Sequence, residues 1–76
     1  MEAYLNKSGI SGVVAYEIGP DFIKVKFHHN DYVYLYNYQV PGIFHVEAMK
    51  IKALDGLGLA TYISKNVHDD YFSKDY

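Results

Sequence analysis

Alternating apolar and basic residues predict a strand over residues 22–28. The members of this pattern are Ile23, Lys24, Val25, Lys26, Phe27 and His28. Successive side chains of a strand point to opposite faces, so the three apolar residues share one face and the lysines share the other. We therefore expect one packed face and one face in water.

Two further strands are predicted on either side of this one. Residues 13–18 are rich in β-branched side chains and stop before Pro20, which cannot donate a ladder hydrogen bond. Residues 29–31 provide Asn and Asp for a turn, and residues 32 to about 38 form the third strand. Short connections of this kind predict an antiparallel meander of three strands.

The third strand carries aromatic or apolar residues on both of its faces. The residues that share the first face are Tyr32, Tyr34, Tyr36 and Tyr38. Val33 and Leu35 fall on the second face. A shift of one residue in register exchanges the two faces, so the pattern leaves open which of them is buried.

Beyond residue 42 the spacing of apolar residues becomes helical. The residues that follow this period are Ile43, Val46, Met49, Ala53, Leu54 and Leu57. Gly56 and Gly58 suit a helix end and a tight turn, because positive φ is cheap for glycine. A second, shorter helix is predicted from residue 59 to about residue 67. Isolated helices of this length are marginal in water, so both are expected to pack on the sheet.

The predicted fold class is α+β: a three-stranded antiparallel meander followed by two helices packed on one sheet face, in the order β-β-β-α-α. It is expected to be a single domain over residues 1–76, with an ordered core at about residues 8–71. Residues 1–7 show no periodicity and residues 72–76 are mostly polar, so both are predicted to be flexible ends. A domain of this size buries only ~60% of the surface that its unfolded chain exposes.

Composition narrows the classes of partner. The net charge is −2, from nine acidic residues against seven lysines and no arginine, which argues against a strong binder of phosphate backbones. Cysteine is absent, so there is no disulfide or thiolate metal site, and a reducing compartment such as the cytoplasm is predicted. No apolar run approaches the ~20 residues of a membrane helix, so we expect no membrane partner.

The motifs of catalytic and metal centres are missing from the sequence. No serine or threonine lies in a strand-turn-helix elbow or beside a recognisable base. His28 and His29 are adjacent, so in a strand their rings point to opposite faces, and with Asp31 they suit a turn better than a zinc site. We therefore expect no enzyme activity, no metal and no cofactor.

The order of these residues resembles the KTSC family, small domains named for their occurrence at the C-terminus of some lysyl-tRNA synthetases. The matching residues are Ser8, Ile10, Val14, Tyr16, Val25, Phe27, Tyr34, Leu35, Tyr36, Val40, Pro41, Gly58, Leu59, Tyr62, Ile63, Asn66, Val67 and Tyr71. The resemblance implies a compact domain of unassigned function, for which RNA binding has been suggested, and it implies no enzyme. A polar residue usually separates the two tyrosines in the family, which implies that Tyr34 and Tyr36 point into the core.

Two functions correspond to the two registers of the third strand. If the tyrosines are exposed, a stacking platform for RNA is predicted, made of Tyr32, Tyr34, Tyr36, Tyr38, Lys24 and Lys26. Each base stacked on an aromatic ring contributes about 1–3 kcal/mol. If Val33 and Leu35 are exposed instead, they form an apolar strip for a homodimer or a protein partner, as in a small phage-type inhibitor of a host protein.

Overall fold

The predicted alternation builds the centre of the sheet. In the computed structural model, residues 1–75 are described, and they form a five-stranded antiparallel sheet whose spatial order follows the chain. The strands are β1 Glu2–Ala3, β2 Val13–Ile18, β3 Phe22–Phe27, β4 Val33–Asn37 and β5 Ser73–Asp75. The ends of β2, β3 and β4 differ from the predicted ends by one residue or less. In these three strands the period-two pattern is long enough to identify a strand.

The prediction of three strands is wrong in number, because both terminal segments add an edge strand within the described residues. β1 pairs with β2 and places Glu2 opposite Tyr16. β5 pairs with β4 and places Lys74 opposite Tyr34. These strands have two and three residues, too few for an alternation to be visible in the sequence. For this reason residues 1–7 and 72–76 are predicted to be flexible ends; of these residues, Tyr76 lies outside the described part of the chain.

Helix α1 spans Ile43–Asp55 and ends as the glycine pattern predicts. Gly56 takes the left-handed conformation at φ 74°, and its N–H donates to the carbonyls of Lys52 and Ala53. A Cβ at this position would collide with the Leu5 side chain. Glycine is therefore needed both for the backbone conformation and for the close approach of the N-terminal segment.

The second helix has the predicted extent but two geometries. Helix α2, Leu59–Tyr62, continues directly into a π-helical turn, Ile63–Val67, which we call the π turn. The turn is closed by His68, whose N–H donates to the Ile63 carbonyl at 2.6 Å. His68 has a φ of 46°, which is uncommon for a residue with a side chain. The chain then turns towards β5.

The hydrophobic core lies between the sheet and these helices. It consists of Tyr4, Val13, Tyr16, Ile23, Val25, Tyr36, Val46, Met49, Ala53, Leu59, Ile63 and Val67. Of the apolar residues predicted along α1, Val46, Met49 and Ala53 are buried. The other three, Ile43, Leu54 and Leu57, are exposed, which corrects the predicted apolar side of the helix. None of the helices in residues 1–75 is long and apolar enough to cross a membrane.

Candidate functional site

The register of β4 decides which of its faces is buried. Tyr36 lies opposite Ile23 and Tyr34 lies opposite Val25, both of which are core residues of β3. Tyr36 is 1% exposed. Burial, with Tyr34 and Tyr71 nearby, raises the pKa of the Tyr36 hydroxyl, so this group stays neutral. The tyrosine face is therefore the packed face of the strand.

The four tyrosines of the predicted platform occupy different environments. Tyr34 is half-buried and meets Tyr71 edge-on, with ring centroids 5.0 Å apart. Tyr32 is half-buried and lies below the ammonium of Lys74, 4.8 Å from its ring centroid. Such edge contacts and cation–π contacts stabilise the packing of side chains around a sheet edge.

Tyr38 lies just after β4, and its side chain contacts α1 instead of the other three tyrosines of the predicted platform. Its hydroxyl donates to Glu47 Oε2 at 2.8 Å. This hydrogen bond raises the pKa of Tyr38, which is an exposed residue. The Glu47 carboxylate also accepts from Lys50 Nζ at 2.8 Å, and these contacts lower its pKa. Tyr38 thus connects the end of β4 to the helix.

The two lysines of the predicted platform lie on the other side of the sheet. Lys24 is opposite Leu35 in the register, and Lys26 is opposite Val33. Paired residues of an antiparallel sheet share a face, so the lysines accompany Val33 and Leu35 and not the tyrosines. The structure does not bring the six predicted platform residues together on one surface.

The face of the sheet away from the helices presents a second candidate surface, which we call the open face. We define it by Glu17, Lys24, Lys26, Val33, Leu35 and Asp75. A shallow depression of ≈ 350 Å³ lies on it, and its lining includes Val33, Leu35 and Lys24. Glu17 and Asp75 line the same depression, so an apolar centre is bordered by charges of both signs. Val33 and Leu35 are half-buried.

The outer side of α1 is a further exposed apolar surface, which the sequence analysis missed. Phe44 is 77% exposed and Ile51 is 70% exposed, while Ile43 and Leu54 beside them are also exposed. A step of 100° per residue places Phe44 and Ile51 opposite Met49 on the helix. The spacing of Phe44 and Ile51 is visible in the sequence. However, α1 carries apolar residues on both sides, so no polar side marks which of them is buried.

The described residues show no assembled metal centre. No group of three or more His, Asp or Glu residues within residues 1–75 is placed to hold an ion. The rings of His28 and His29 are perpendicular, with centroids 6.1 Å apart, and both residues are exposed.

Comparisons with protein-family models, with curated proteins and with solved structures find no match to this chain. The resemblance to the KTSC family therefore stays a prediction.

Proposed function

We propose that the protein is a noncatalytic interaction module that pairs with a second copy of itself through the open face. The observation that supports this proposal is the composition of that face. Val33 and Leu35 form a half-buried apolar centre on the side of the sheet away from the helices, and Met1 and charges of both signs border it. The same open face contains the two residues that the sequence predicts for an interaction surface.

The apolar centre supplies the affinity in this proposal. Each face of β4 carries large apolar side chains, and the helices cover the tyrosine face alone. Removing apolar surface from water is favourable by roughly 25 cal/mol per Å², so association stabilises the part of this face that is still exposed. Sheets that pack face to face interdigitate such side chains over about 10 Å.

The border of charges favours a copy of the same chain over an unrelated partner. In a two-fold interface the same patch is used twice, so a residue of one protomer meets a different residue of its partner. Lys24 on one copy can then lie opposite Glu17 or Asp75 on the other, and the reverse contact follows by symmetry. Complementary charge of this kind fixes the register of an interface more than it adds affinity.

RNA is the competing occupant, because it is the ligand that the KTSC resemblance suggests. Lys24 and Lys26 lie on the open face, yet Glu17 and Asp75 place carboxylates on that face too. Carboxylates repel phosphates, and the tyrosines that would stack on bases lie on the packed side of the sheet. We therefore favour self-association and treat RNA binding as an outcome of the test.

The test is sedimentation equilibrium of the wild-type chain, of Leu35→Glu and of the matched control Ile51→Glu. Both substitutions place a carboxylate on an exposed or half-buried apolar position, one on the open face and one on α1. We expect a wild-type dimer that Leu35→Glu weakens by at least about tenfold, equal to 1.4 kcal/mol. Ile51→Glu is expected to leave the dimer unchanged.

A monomeric wild-type chain, or a dimer that only Ile51→Glu disrupts, contradicts the proposal. Fluorescence anisotropy with labelled single-stranded RNA completes the experiment. Binding of RNA by a monomer, lost on raising salt and in Lys24→Glu, would assign the open face to RNA instead. Circular dichroism of each variant verifies that it is folded.

A further inference from the structure

A second depression lies on the helical side of the molecule, between α1 and the π turn. Its volume is ≈ 320 Å³, and it is lined by Lys52, Gly58, Thr61, Tyr62, Lys65 and Asn66. Apart from Lys52 on α1, these residues recur at three- and four-residue intervals, which puts them on one side of a helix. Close packing of the two helices thus brings Lys52 to the polar side of the second helix.

The two lysines of this depression have no acidic partner. Lys7 pairs with Asp55 and Lys50 pairs with Glu47, whereas Lys52 and Lys65 form no ion pair with any residue of 1–75. No carboxylate is among the lining residues. Two ammonium groups at one depression without a carboxylate make it locally positive, although the whole chain is negative.

Tyr62 is held in place at the centre of this group. Its hydroxyl lies 2.7 Å from His45 Nδ1, a short hydrogen bond from α1. Its backbone carbonyl accepts from Asn66 Nδ2 at 3.2 Å. The ammonium of Lys52 lies 5.5 Å from the ring centroid of Tyr62. This ammonium lies over the ring, and the cation–π contact holds Lys52 at the depression.

The backbone of this region departs from ordinary helix geometry. Lys65 and Asn66 belong to the π turn, and the residue after the turn, His68, has positive φ. Segments of π-helix are rare and are found frequently at functional sites, where they reposition side chains. Positive φ is unfavourable for a residue with a side chain, so the surrounding packing must maintain this shape.

We propose that this depression binds a phosphate group, carried either by a mononucleotide or by a nucleic-acid strand. Lys52 and Lys65 supply the charge, and the Thr61 hydroxyl supplies a neutral donor to a phosphate oxygen. The Lys52 ammonium lies over the Tyr62 ring, so it moves from the ring to the phosphate when a base attached to that phosphate stacks on the ring. This site is independent of the open face, because it lies on the helices and not on the sheet.

The test is a ¹H–¹⁵N NMR titration of the full chain with inorganic phosphate, with AMP and with a single-stranded oligonucleotide. We expect shifts in the amides of residues 58–66 and of Lys52. AMP is expected to bind more tightly than inorganic phosphate if the base stacks on Tyr62. The double variant Lys52→Gln with Lys65→Gln should weaken binding by about tenfold or more, because two charge-assisted contacts are lost.

The matched control is the double variant Lys24→Gln with Lys26→Gln, which removes equal charge from the open face. It should leave the affinity of the depression unchanged. Shifts at residues 58–66 with the oligonucleotide alone would assign the phosphate to a nucleic-acid strand and still support the site. The proposal is overturned if no probe shifts these amides at up to ~10 mM, a range that includes millimolar affinity. It is equally overturned if both double variants weaken binding to the same degree.

Discussion

Tyr36 and Leu35 are neighbours in β4, yet they belong to opposite sides of the molecule. Tyr36 is 1% exposed and packs under the helices, whereas Leu35 is half-buried on the open face. Both residues have large side chains that are mainly apolar, so their difference in burial depends on the register with β3. The comparison shows that one face of the strand packs against the helices, while the other lies on the side of the sheet away from them.

The largest effect is expected from truncating the buried member of this pair. Tyr36→Ala should lower the free energy of unfolding by about 3–5 kcal/mol, because it opens a cavity in the core and removes ring contacts. Leu35→Ala should cost about half of that or less, since its side chain is already partly in water. Urea denaturation of both variants measures the difference between their free energies of unfolding. Equal losses in the two variants would mean that the faces of β4 are equivalent for folding.

The second-largest effect is expected at Gly56, where the end of α1 lies close to the N-terminal segment of the chain. Gly56→Ala should destabilise the fold by about 2 kcal/mol or more, because alanine meets both the left-handed backbone and Leu5. Gly58→Ala is the matched control, with a φ of 85° but with its nearest atom, Lys52 Cδ, 4.0 Å away. The control bears the backbone cost alone. In thermal denaturation, the Tm of Gly56→Ala should lie well below that of Gly58→Ala. The opposite order of Tm would contradict the packing explanation.

The smallest effect is expected at the exposed junction between β4 and α1. The Lys50 ammonium and the Tyr38 hydroxyl lower the pKa of Glu47 below its ordinary value of 4.5. A lowered pKa means that the ionised carboxylate stabilises the folded state above that ordinary value, and the contribution is lost as pH falls through the lowered pKa. Wild type should therefore be slightly more stable than Glu47→Gln at neutral pH. The difference should vanish in acid; a difference that persists at low pH would mean that the charge is not its source.

The sequence predicted the elements in which apolar and polar residues repeat with the period of the secondary structure that they form. The alternation of β3 identified its buried face, because lysines marked the other side. β4 carries apolar residues on both faces, so only the pairing of Tyr36 with Ile23 could decide between them. The edge strands escaped prediction because two or three residues form no pattern.

The candidate sites were less predictable than the fold, because each combines residues that are distant in the chain. Val33 and Leu35 were found from the strand pattern alone, but their neighbours Glu17 and Asp75 come from β2 and β5. The depression beside Tyr62 depends on the packing of α1, which places His45 against that hydroxyl. No spacing within one segment encodes such a contact.

The shortness of the edge strands has a consequence for the solution behaviour of the chain. β1 has two residues and β5 has three, whereas the strands that they cover, β2 and β4, have six and five. A long uncovered edge is a template for further strands and hence for filaments and amorphous aggregates. β1 and β5 therefore protect part of each edge of the sheet. An affinity tag or a truncation that displaces either strand should make the protein prone to precipitate.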